Sequence, residues 1–351
     1  MKPVVTPAEM AAIDADAPED VSVLIERAGW AVARAALDLL SPVHGARVLV
    51  IAGKGNNGAD GRSAARYLER RGVRCVLLSP AEAASSLALA PPGRVAYDLV
   101  IDAAYGTGFR GTFEPPDVGA APVLAVDIPS GVDGLTGAIG GRALAAAATV
   151  SFAALKPGLL FEPGRSVAGR VSVADIGLDC SRAQCWQLGL DDLQHDWPRP
   201  EPTTHKWKRA LWVIGGSPGL DGAPGLAARA AIRAGAGYVA VSLPGADLRR
   251  SGTAPSVPIE AVRRAVTDDW AADVLAERDR FAGLVVGCGL AVDAGTGTEV
   301  RAVVAGAADQ PIVVDGGAID AVAADHSVLK GRSVPAILTP HDGELRRLTG
   351  R

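Results

Sequence analysis

The chain has 351 residues, a length that suits two ordinary domains or one large one. Hydrophobic residues make up 48% and charged residues 21%, a globular composition that excludes a predominantly disordered chain. Aromatic residues are scarce at 4% and the formal net charge is −4, which argues against nucleic-acid binding through base stacking or a broad basic surface. We therefore expect an α/β enzyme.

Targeting and redox signals favour a cytoplasmic protein. The first residues lack the basic and then apolar order of a signal peptide, and the most apolar stretch, residues 143–155, is too short to span a bilayer. The four cysteines have neither zinc-finger nor redox-motif spacing, so we expect thiols in a reducing compartment: Cys75, Cys180, Cys185 and Cys288.

The first half of the chain alternates helix-like and strand-like segments. Apolar residues at helical spacing predict a helix over residues 21–40, and a short apolar run predicts a strand over 47–52. Further helices are predicted over 62–71 and 81–90, and strands over 73–78, 99–101, 123–126, 149–153 and 170–174. This alternation predicts a mostly parallel sheet with helices on both faces. Ligands bind such sheets at the carboxyl ends of the strands.

A proline-rich stretch divides the chain. The alternation stops between residues 184 and 204, where we place a stiff linker over 197–204 between domains 1–196 and 205–351. A second α/β series follows, with strands predicted over 211–214, 238–242, 283–286, 312–314 and 336–338 and a helix over 222–234. A last helix begins after Asp342.

The most informative segment is the glycine-rich loop of residues 53–61, between a predicted strand and a predicted helix. Its glycines allow a tight turn and a close approach to a ligand, and the helix N-terminus suits an anion. The spacing is neither the dinucleotide fingerprint nor a P-loop. Asn56, Asn57 and Asp60 add oxygens that fit a ribose, an amide or a hard cation, although Asn and Asp also cap helices.

Two further strand ends carry oxygen ligands. Asp102 ends one predicted strand, and Asp127 and Ser130 follow the next. A single Asp at a strand end often serves only a turn, but three adjacent loops favour a shared site. Because no His or Cys accompanies these oxygens, they point to potassium, sodium or magnesium. Lys156 follows another strand and either faces an anionic ligand or extends along the surface.

These motifs resemble a known family. The segments GNNGAD, DAAYGTGF, VDIPSGVDG and ALKPGLL resemble the NAD(P)HX epimerase domain of the bifunctional NAD(P)H-hydrate repair enzymes. The segments HKWKRALWVIGGS, AARAAIRAGAG, APSVP, LVVGCGLA and AILTPHDGE resemble the ADP- or ATP-dependent NAD(P)HX dehydratase domain of those enzymes. The resemblance implies a Rossmann-like three-layer N-terminal domain and a partial ribokinase-like α/β C-terminal domain.

The resemblance also implies the reactions and their residues. NAD(P)H hydrated at C6 of the nicotinamide ring forms R and S epimers; the epimerase interconverts them, and the dehydratase dehydrates the S form at the expense of a nucleotide. Asp127 is the implied general acid/base, and Asn57, Asp102 and Ser130 are the implied K⁺ ligands. The implied epimerase substrate-binding residues are Asn56, Asn57, Gly58, Ala59, Asp60, Gly106, Thr107, Gly108, Phe109, Arg110, Gly111, Thr112 and Asp127. Ala223, Gly289 and His341 mark the implied dehydratase substrate wall, and ADP or ATP with Mg²⁺ is its implied cosubstrate.

The sequence departs from the family pattern in two places that bear on these expectations. Ala59 replaces a usual glycine, which requires a negative φ at that position. The sequence ends at HDGELRRLTG, before the family's GSGD nucleotide-binding segment, so we expect a truncated dehydratase domain without its nucleotide site.

Two other function classes stay open. A binding or scaffold protein on the same fold would not need the ion ligands, and a sugar or vitamin kinase would need a catalytic Asp in a glycine-rich anion loop. We expect a small-molecule substrate, no nucleic-acid or membrane partner, and, by resemblance, pairing of two copies through the helix of residues 21–40.

Overall fold

The computed structural model describes residues 1–88, 97–197, 204–245, 256–291 and 293–351. The chain divides into two compact units, Met1–Trp197 and Pro198–Arg351. Most of the predicted linker and residues 89–90 of a predicted helix lie outside the described residues.

The first unit is built around a six-stranded parallel sheet. Its elements are β1 (Lys2–Val4), α1 (Pro7–Ala15), α2 (Val21–Leu39), β2 (Arg47–Ala52), α3 (Asn56–Glu69), β3 (Arg74–Leu78), α4 (Pro80–Ala88), β4 (Leu99–Ala103), β5 (Val123–Val126), β6 (Ala148–Phe152), α5 (Gly164–Ala168), β7 (Arg170–Ala174), β8 (Cys185–Gln187) and α6 (Leu190–Asp196). The strand order is β3-β2-β4-β5-β6-β7, with every neighbouring pair parallel. The predicted α/β class is confirmed.

Helices cover both faces of this sheet because its central strands are apolar on both sides. In β2, Val48 and Val50 pack in a core with α2 and α3, whereas Leu49 and Ile51 pack in a second core that includes Ala83 of α4. Side chains alternate between the faces of a strand, so a continuous apolar run is what a sheet buried on both faces requires.

The second unit repeats the architecture. Its elements are β9 (Ala210–Ile214), α7 (Gly222–Arg233), β10 (Tyr238–Ser242), β11 (Val262–Arg263), α8 (Trp270–Glu277), β12 (Gly283–Val286), α9 (Ala294–Gly306), β13 (Ile312–Val314), α10 (Gly317–Ala324), β14 (Ala336–Leu338) and α11 (Asp342–Thr349). The strand order is β11-β10-β9-β12-β13-β14, again parallel throughout.

Four elements differ from the sequence expectations. The stretch after residue 184, where the predicted alternation stops, contains β8 and α6, and β8 pairs antiparallel with the unpredicted strand β1. Three-residue strands such as these carry too short a pattern to read from sequence, because their pairing comes from residues far apart in the chain. Helix α3 begins at Asn56, six residues before the predicted start at Arg62.

The early start of α3 gives the glycine-rich motif a packing role. A Cβ on Gly58 would collide with the carbonyl oxygen of Gly53, and one on Gly61 would collide with the side chain of Ala103 in β4. Glycine therefore lets α3 lie directly on the ends of β2 and β4. Ala59 lies within this helix and is not among the positive-φ residues, so the condition set by its replacement of glycine is met.

We predict that Gly58→Ala lowers the free energy of unfolding of the first unit by about 1–3 kcal/mol, because the added methyl group forces the helix away from the strands. Gly108→Ala is the matched control, since no atom lies within 4 Å of its Cβ position. It should change stability by less than about 1 kcal/mol. Urea denaturation followed by hydrogen-exchange mass spectrometry of β2 and β4 measures both; equal effects would contradict the packing role.

Candidate active site

A cavity of about 960 Å³ opens in the first unit at the carboxyl ends of the central strands. The turns after β2, β4 and β5 form one side of it, and helices α1 and α2 contribute the other. The residues that line it are Met10, Asp14, Val21, Leu24, Ile25, Ala28, Ala52, Gly53, Lys54, Gly55, Asn56, Asn57, Asp60, Ser79, Pro80, Ala81, Ala104, Tyr105, Gly106, Thr107, Gly108, Phe109, Arg110, Asp127, Phe152, Lys156 and Ile176. A mostly apolar wall with a few convergent polar groups is typical of a small-molecule site.

An ion pair between Asp127 and Lys156 lies at the base of this cavity. The Lys156 Nζ is 2.6 Å from Asp127 Oδ1, and the two side chains are only 1% and 13% exposed. Thr107 donates to the other carboxylate oxygen from both its backbone N–H and its hydroxyl. Asp127 has a φ of 66°, a left-handed conformation that is uncommon outside glycine and that concentrates at functional sites.

These contacts keep Asp127 ionised. Burial alone would raise the pKa of its carboxyl group, but the charge of Lys156 and the hydrogen bonds from Lys156 and Thr107 outweigh burial and lower the pKa below its usual value. A carboxylate held in this way is an anionic acceptor on a cavity wall at neutral pH.

Two roles were predicted for Lys156: to face an anionic ligand or to extend along the surface. The side chain does not extend along the surface, so that alternative is wrong, and it meets the first role only in part. Its ammonium group donates to Asp127, to the Ser151 hydroxyl at 3.0 Å and to the Phe152 carbonyl at 2.9 Å. An ammonium group has three N–H donors, so these three acceptors use all of them. Lys156 therefore acts on the cavity through Asp127 and not as a free cation.

A second polar cluster lies beneath the cavity at Asp102 and Ser130, both fully buried. Ser130 donates to the two oxygens of Asp102, from its hydroxyl at 2.6 Å and its backbone N–H at 2.9 Å. The Tyr105 N–H donates to the Ser130 hydroxyl at 2.9 Å. Burial raises the pKa of Asp102 more than the hydrogen bonds from Ser130 and Ala104 lower it.

Asn57, in the first turn of α3, lies beside the loop that follows β4. Both polar atoms of its side chain are buried and have no hydrogen-bond partner. A Cβ at Gly106, next to Tyr105, would lie 3.2 Å from Asn57 Cγ, so the loop packs tightly on the Asn57 side chain. Buried polar atoms without a protein partner are rare, and a bound water or ion would satisfy them. Among the described residues no group of three or more His, Cys, Asp or Glu side chains could hold a metal ion.

Two more carboxyl groups face the same cavity. Burial, together with the negative charges of Asp127 and Asp14, raises the pKa of Asp60 to about 8. Burial also raises the pKa of Asp14, on α1, although Lys156 opposes the shift. The surroundings therefore lower the pKa of Asp127 and raise the pKa values of Asp60 and Asp14 in the same cavity.

The structure brings most of the predicted epimerase residues to this cavity. The exceptions do not line it and are Gly58, Ala59, Gly111, Thr112, Asp102 and Ser130. Gly58 packs against β2, and the last two form the buried cluster beneath the wall. Asp14 and Met10 were missed because the N-terminal segment carries no motif; it reaches the cavity through the pairing of β1 with β8.

In the second unit the three predicted wall residues follow three parallel strands. Ala223 lies in the first turn of α7 after β9, Gly289 follows β12, and His341 follows β14. The Ser217 hydroxyl donates to the Gly289 carbonyl at 2.8 Å, which ties the loop after β9 to the loop after β12. His341 caps α11, because its Nδ1 accepts from the Gly343 N–H.

None of the helices in the described part of the chain has the length and apolar character needed to cross a membrane.

The comparisons with known proteins agree with both halves of the fold. The family described as "YjeF-related protein N-terminus" matches residues 21–158, and the family described as "NAD(P)H-hydrate dehydratase" matches residues 211–351. A "bifunctional NAD(P)H-hydrate repair enzyme Nnr" from Moorella thermoacetica is 35% identical over 99% of this chain and 74% of its own length. The chain belongs to the bifunctional NAD(P)H-hydrate repair enzymes. The resemblance predicted from the motifs is confirmed.

Other members of this repair-enzyme family match over similar spans. The Salinibacter ruber enzyme is 32% identical over 99% of this chain and 75% of its own length. The Mycobacterium tuberculosis enzyme is 34% identical over 88% of this chain and 65% of its own length. Among solved structures, yeast ynu0 matches with 24% identity over 48% of this chain and 86% of its own, at a TM-score of 0.40. An ADP/ATP-dependent NAD(P)H-hydrate dehydratase from Bacillus subtilis, co-crystallised with ATP/Mg²⁺, matches with 26% identity. The match covers 46% of this chain and 54% of the Bacillus subtilis chain, at a TM-score of 0.35.

We predict that Lys156→Met lowers the free energy of unfolding of the first unit by about 3–5 kcal/mol, because it leaves the Asp127 carboxylate buried without its counter-ion. Asp127→Asn combined with Lys156→Met should cost less than the sum of the two single changes, since the double variant has no buried charge. A double-mutant cycle by urea denaturation with hydrogen exchange in β4–β6 measures the coupling. Additive effects would show that the two side chains do not interact.

Proposed function

We propose that this chain interconverts the R and S hydrates of NADH and NADPH at the cavity of its first unit. The observation that carries the proposal is the Asp127–Lys156 pair at the base of a cavity large enough for such a ligand. Family membership supports it independently, because the relatives carry the name NAD(P)H-hydrate repair enzyme.

Asp127 is the proposed general acid and base. Inverting C6 of the hydrated ring requires the hydroxyl group to leave and return or the ring to open, and either route needs proton transfer. Because Lys156 holds Asp127 in its anionic form, the resting carboxylate fits the ring-opening route. It accepts the proton of the C6 hydroxyl as the carbonyl forms and the bond from C6 to the ring nitrogen breaks, passes that proton to the nitrogen, and reverses both transfers when the ring closes on the other face. The contacts to Thr107 and Lys156 fix both oxygens, so the carboxylate meets the ring without reorganising.

The substrate-binding residues proposed from the family motifs surround this pair. Asn56, Asn57 and Asp60 of α3 and residues 106–110 of the loop after β4 lie on the cavity wall. The N-terminus of α3 and the side chain of Lys54 offer positive potential to the phosphates of the dinucleotide.

We also propose a K⁺ ion held by Asn57, Asp102 and Ser130. The residues fit such an ion: the Asn57 side chain is buried without a partner, and Asp102 is a buried carboxylate whose hydrogen-bond partners are neutral groups. Carboxylate, amide and hydroxyl oxygens are the donors that hard cations prefer. The ion would supply positive charge beside the loop of residues 105–107, and Ser130 would hold that loop through Tyr105.

The second unit is the proposed dehydratase domain. In the family this domain removes water from the S hydrate with ADP or ATP and Mg²⁺, a step that uses the nucleotide-binding GSGD segment, which residues 205–351 do not contain. The family match over residues 211–351 supports this assignment. Ala223, Gly289 and His341, at the carboxyl ends of β9, β12 and β14, are the proposed wall of its substrate site. The proposed domain limits remain 1–196 and 205–351, with a linker over 197–204.

Two further proposals concern the cellular compartment and the oligomeric state of the enzyme. The four cysteines are free thiols, which supports a reducing compartment such as the cytoplasm. Exposed apolar side chains on α2, Val23 and Trp30, support association of two copies through that helix.

We predict that the wild-type chain converts pure R hydrate into the R/S mixture without added nucleotide, and that Asp127→Asn slows this conversion by several orders of magnitude while the hydrate still binds. Chromatography of the two epimers over time measures the rates. A loss of less than about tenfold in Asp127→Asn would remove Asp127 from the acid/base role. No conversion by the wild type would favour a binding protein, and formation of NAD(P)H only with ADP or ATP present would assign the dehydratase step.

We predict that K⁺ stabilises the first unit relative to Na⁺ at equal ionic strength. With about 100 mM K⁺ and a dissociation constant of about 10 mM, linkage gives about 1.4 kcal/mol, or a few degrees in thermal midpoint. Asn57→Ala should abolish the difference between the two ions, whereas Asn56→Ala, on the exposed neighbour, should keep it. Equal midpoints in both salts for the wild type would contradict the ion site.

A further inference from the structure

Helix α1 brings a carboxylate to the cavity from a part of the chain that the epimerase family match does not cover. The match begins at residue 21, and α1 spans Pro7–Ala15. Asp14, near the end of this helix, lines the same cavity as Asp127 and Lys156.

The fold holds α1 firmly beside the catalytic pair. Val5 donates its N–H to the Leu155 carbonyl at 2.8 Å, and the Leu155 N–H donates to the Pro3 carbonyl at 2.9 Å, so the N-terminal strand lies next to Lys156. Strand β1 is further paired with β8. A capping box between Thr6 and Glu9 then fixes the first turn of α1.

Several contacts together fix the direction in which α1 leaves the strand. Met10, one turn before Asp14, is buried in a cluster with Val5, Ala154 and Cys180. Met10 also lines the cavity, and Asp14 follows it by four residues on the same face of the helix, so the packing of Met10 turns this face, with Asp14, toward the cavity.

The Asp14 side chain is exposed, and its carboxylate makes no hydrogen bond or ion pair with the residues that the structure describes. The nearby cation Lys156 donates its three N–H groups to Asp127, Ser151 and Phe152 and has none left for Asp14. The wall near the pair thus presents acceptors from Asp14 and Asp127 to whatever occupies the cavity.

A wall that presents carboxylate acceptors favours the hydrogen-bond donors of a ligand over its anionic groups. Phosphate groups are anionic acceptors and are disfavoured beside these carboxyl groups. The hydrated nicotinamide end carries donors instead: the two N–H groups of the carboxamide and the hydroxyl group at C6. The adenine amino group and the ribose hydroxyls are donors too, but the proposed reaction at Asp127 places the hydrated ring, and not the adenine, beside this wall.

We propose that Asp14 binds the substrate itself, its carboxylate accepting a hydrogen bond from a donor of the hydrated nicotinamide ring. The proposal rests on the proposed epimerase function and names the group that orients the ring over Asp127. Asp14 is a binding residue in this account, and Asp127 remains the residue that moves the proton.

The test compares equilibrium binding of the R/S hydrate and of NADPH to the full chain and to three variants. Asp14→Asn and Asp14→Ala remove the charged acceptor; Asp16→Asn makes the same charge change two residues away, outside the cavity wall. Calorimetry gives the dissociation constants, and thermal unfolding of each variant verifies its fold. We expect both Asp14 variants to bind the hydrate at least about tenfold more weakly, the loss of a hydrogen bond to a charged group, and Asp16→Asn to bind as the wild type does.

Each outcome decides a separate point. Weaker binding of hydrate and NADPH alike assigns the carboxamide, which both carry, and weaker binding of the hydrate alone assigns the C6 hydroxyl. Hydrate affinities within twofold of the wild type for both Asp14 variants would overturn the proposal while leaving the epimerase function intact. A wild-type chain that does not bind the hydrate would contradict the epimerase function first, and the role of Asp14 with it.

Discussion

The buried ion pair between Lys156 and Asp127 is the interaction on which the first unit's site depends. An isolated carboxylate at this depth would take up a proton, and an isolated ammonium would lose one. Together, with Thr107 and Ser151 filling the remaining hydrogen-bond positions, they stay charged in a place that water reaches poorly. A carboxylate kept anionic and fixed in direction is the minimum that a proton-transfer step at a bound ring requires.

Close packing of backbone against backbone provides the frame for this pair. Glycine at positions 53, 58 and 61 lets α3 lie on the ends of β2 and β4, which brings Asn57 against Gly106 in the loop after β4. The same packing exposes the first turn of α3 to the cavity. One glycine-rich segment therefore serves both the helix–sheet contact and the cavity wall.

The sequence was sufficient for the parallel sheets and for most of the cavity wall, because carboxyl ends of parallel strands meet at one edge. Asp102, Asp127 and Ser130 could be grouped in this way from their positions alone. The start of α3 could not be predicted, since glycine and asparagine have low helix propensity. Only the tertiary contact with Gly53 explains why these residues lie in a helix. The position of Asp14 at the cavity could not be predicted either, because the pairing of β1 with β8 joins residues that lie far apart in the chain.

A crystal structure of the Asp127→Asn variant with the hydrate bound tests the central claim most directly, because the slow variant lets the bound ligand persist. We expect the hydrated ring to lie in the first unit's cavity with C6 beside residue 127, and the phosphates to lie toward Lys54 and the N-terminus of α3. A ligand bound elsewhere on the chain, or bound here with its phosphates at residue 127, would contradict this expectation.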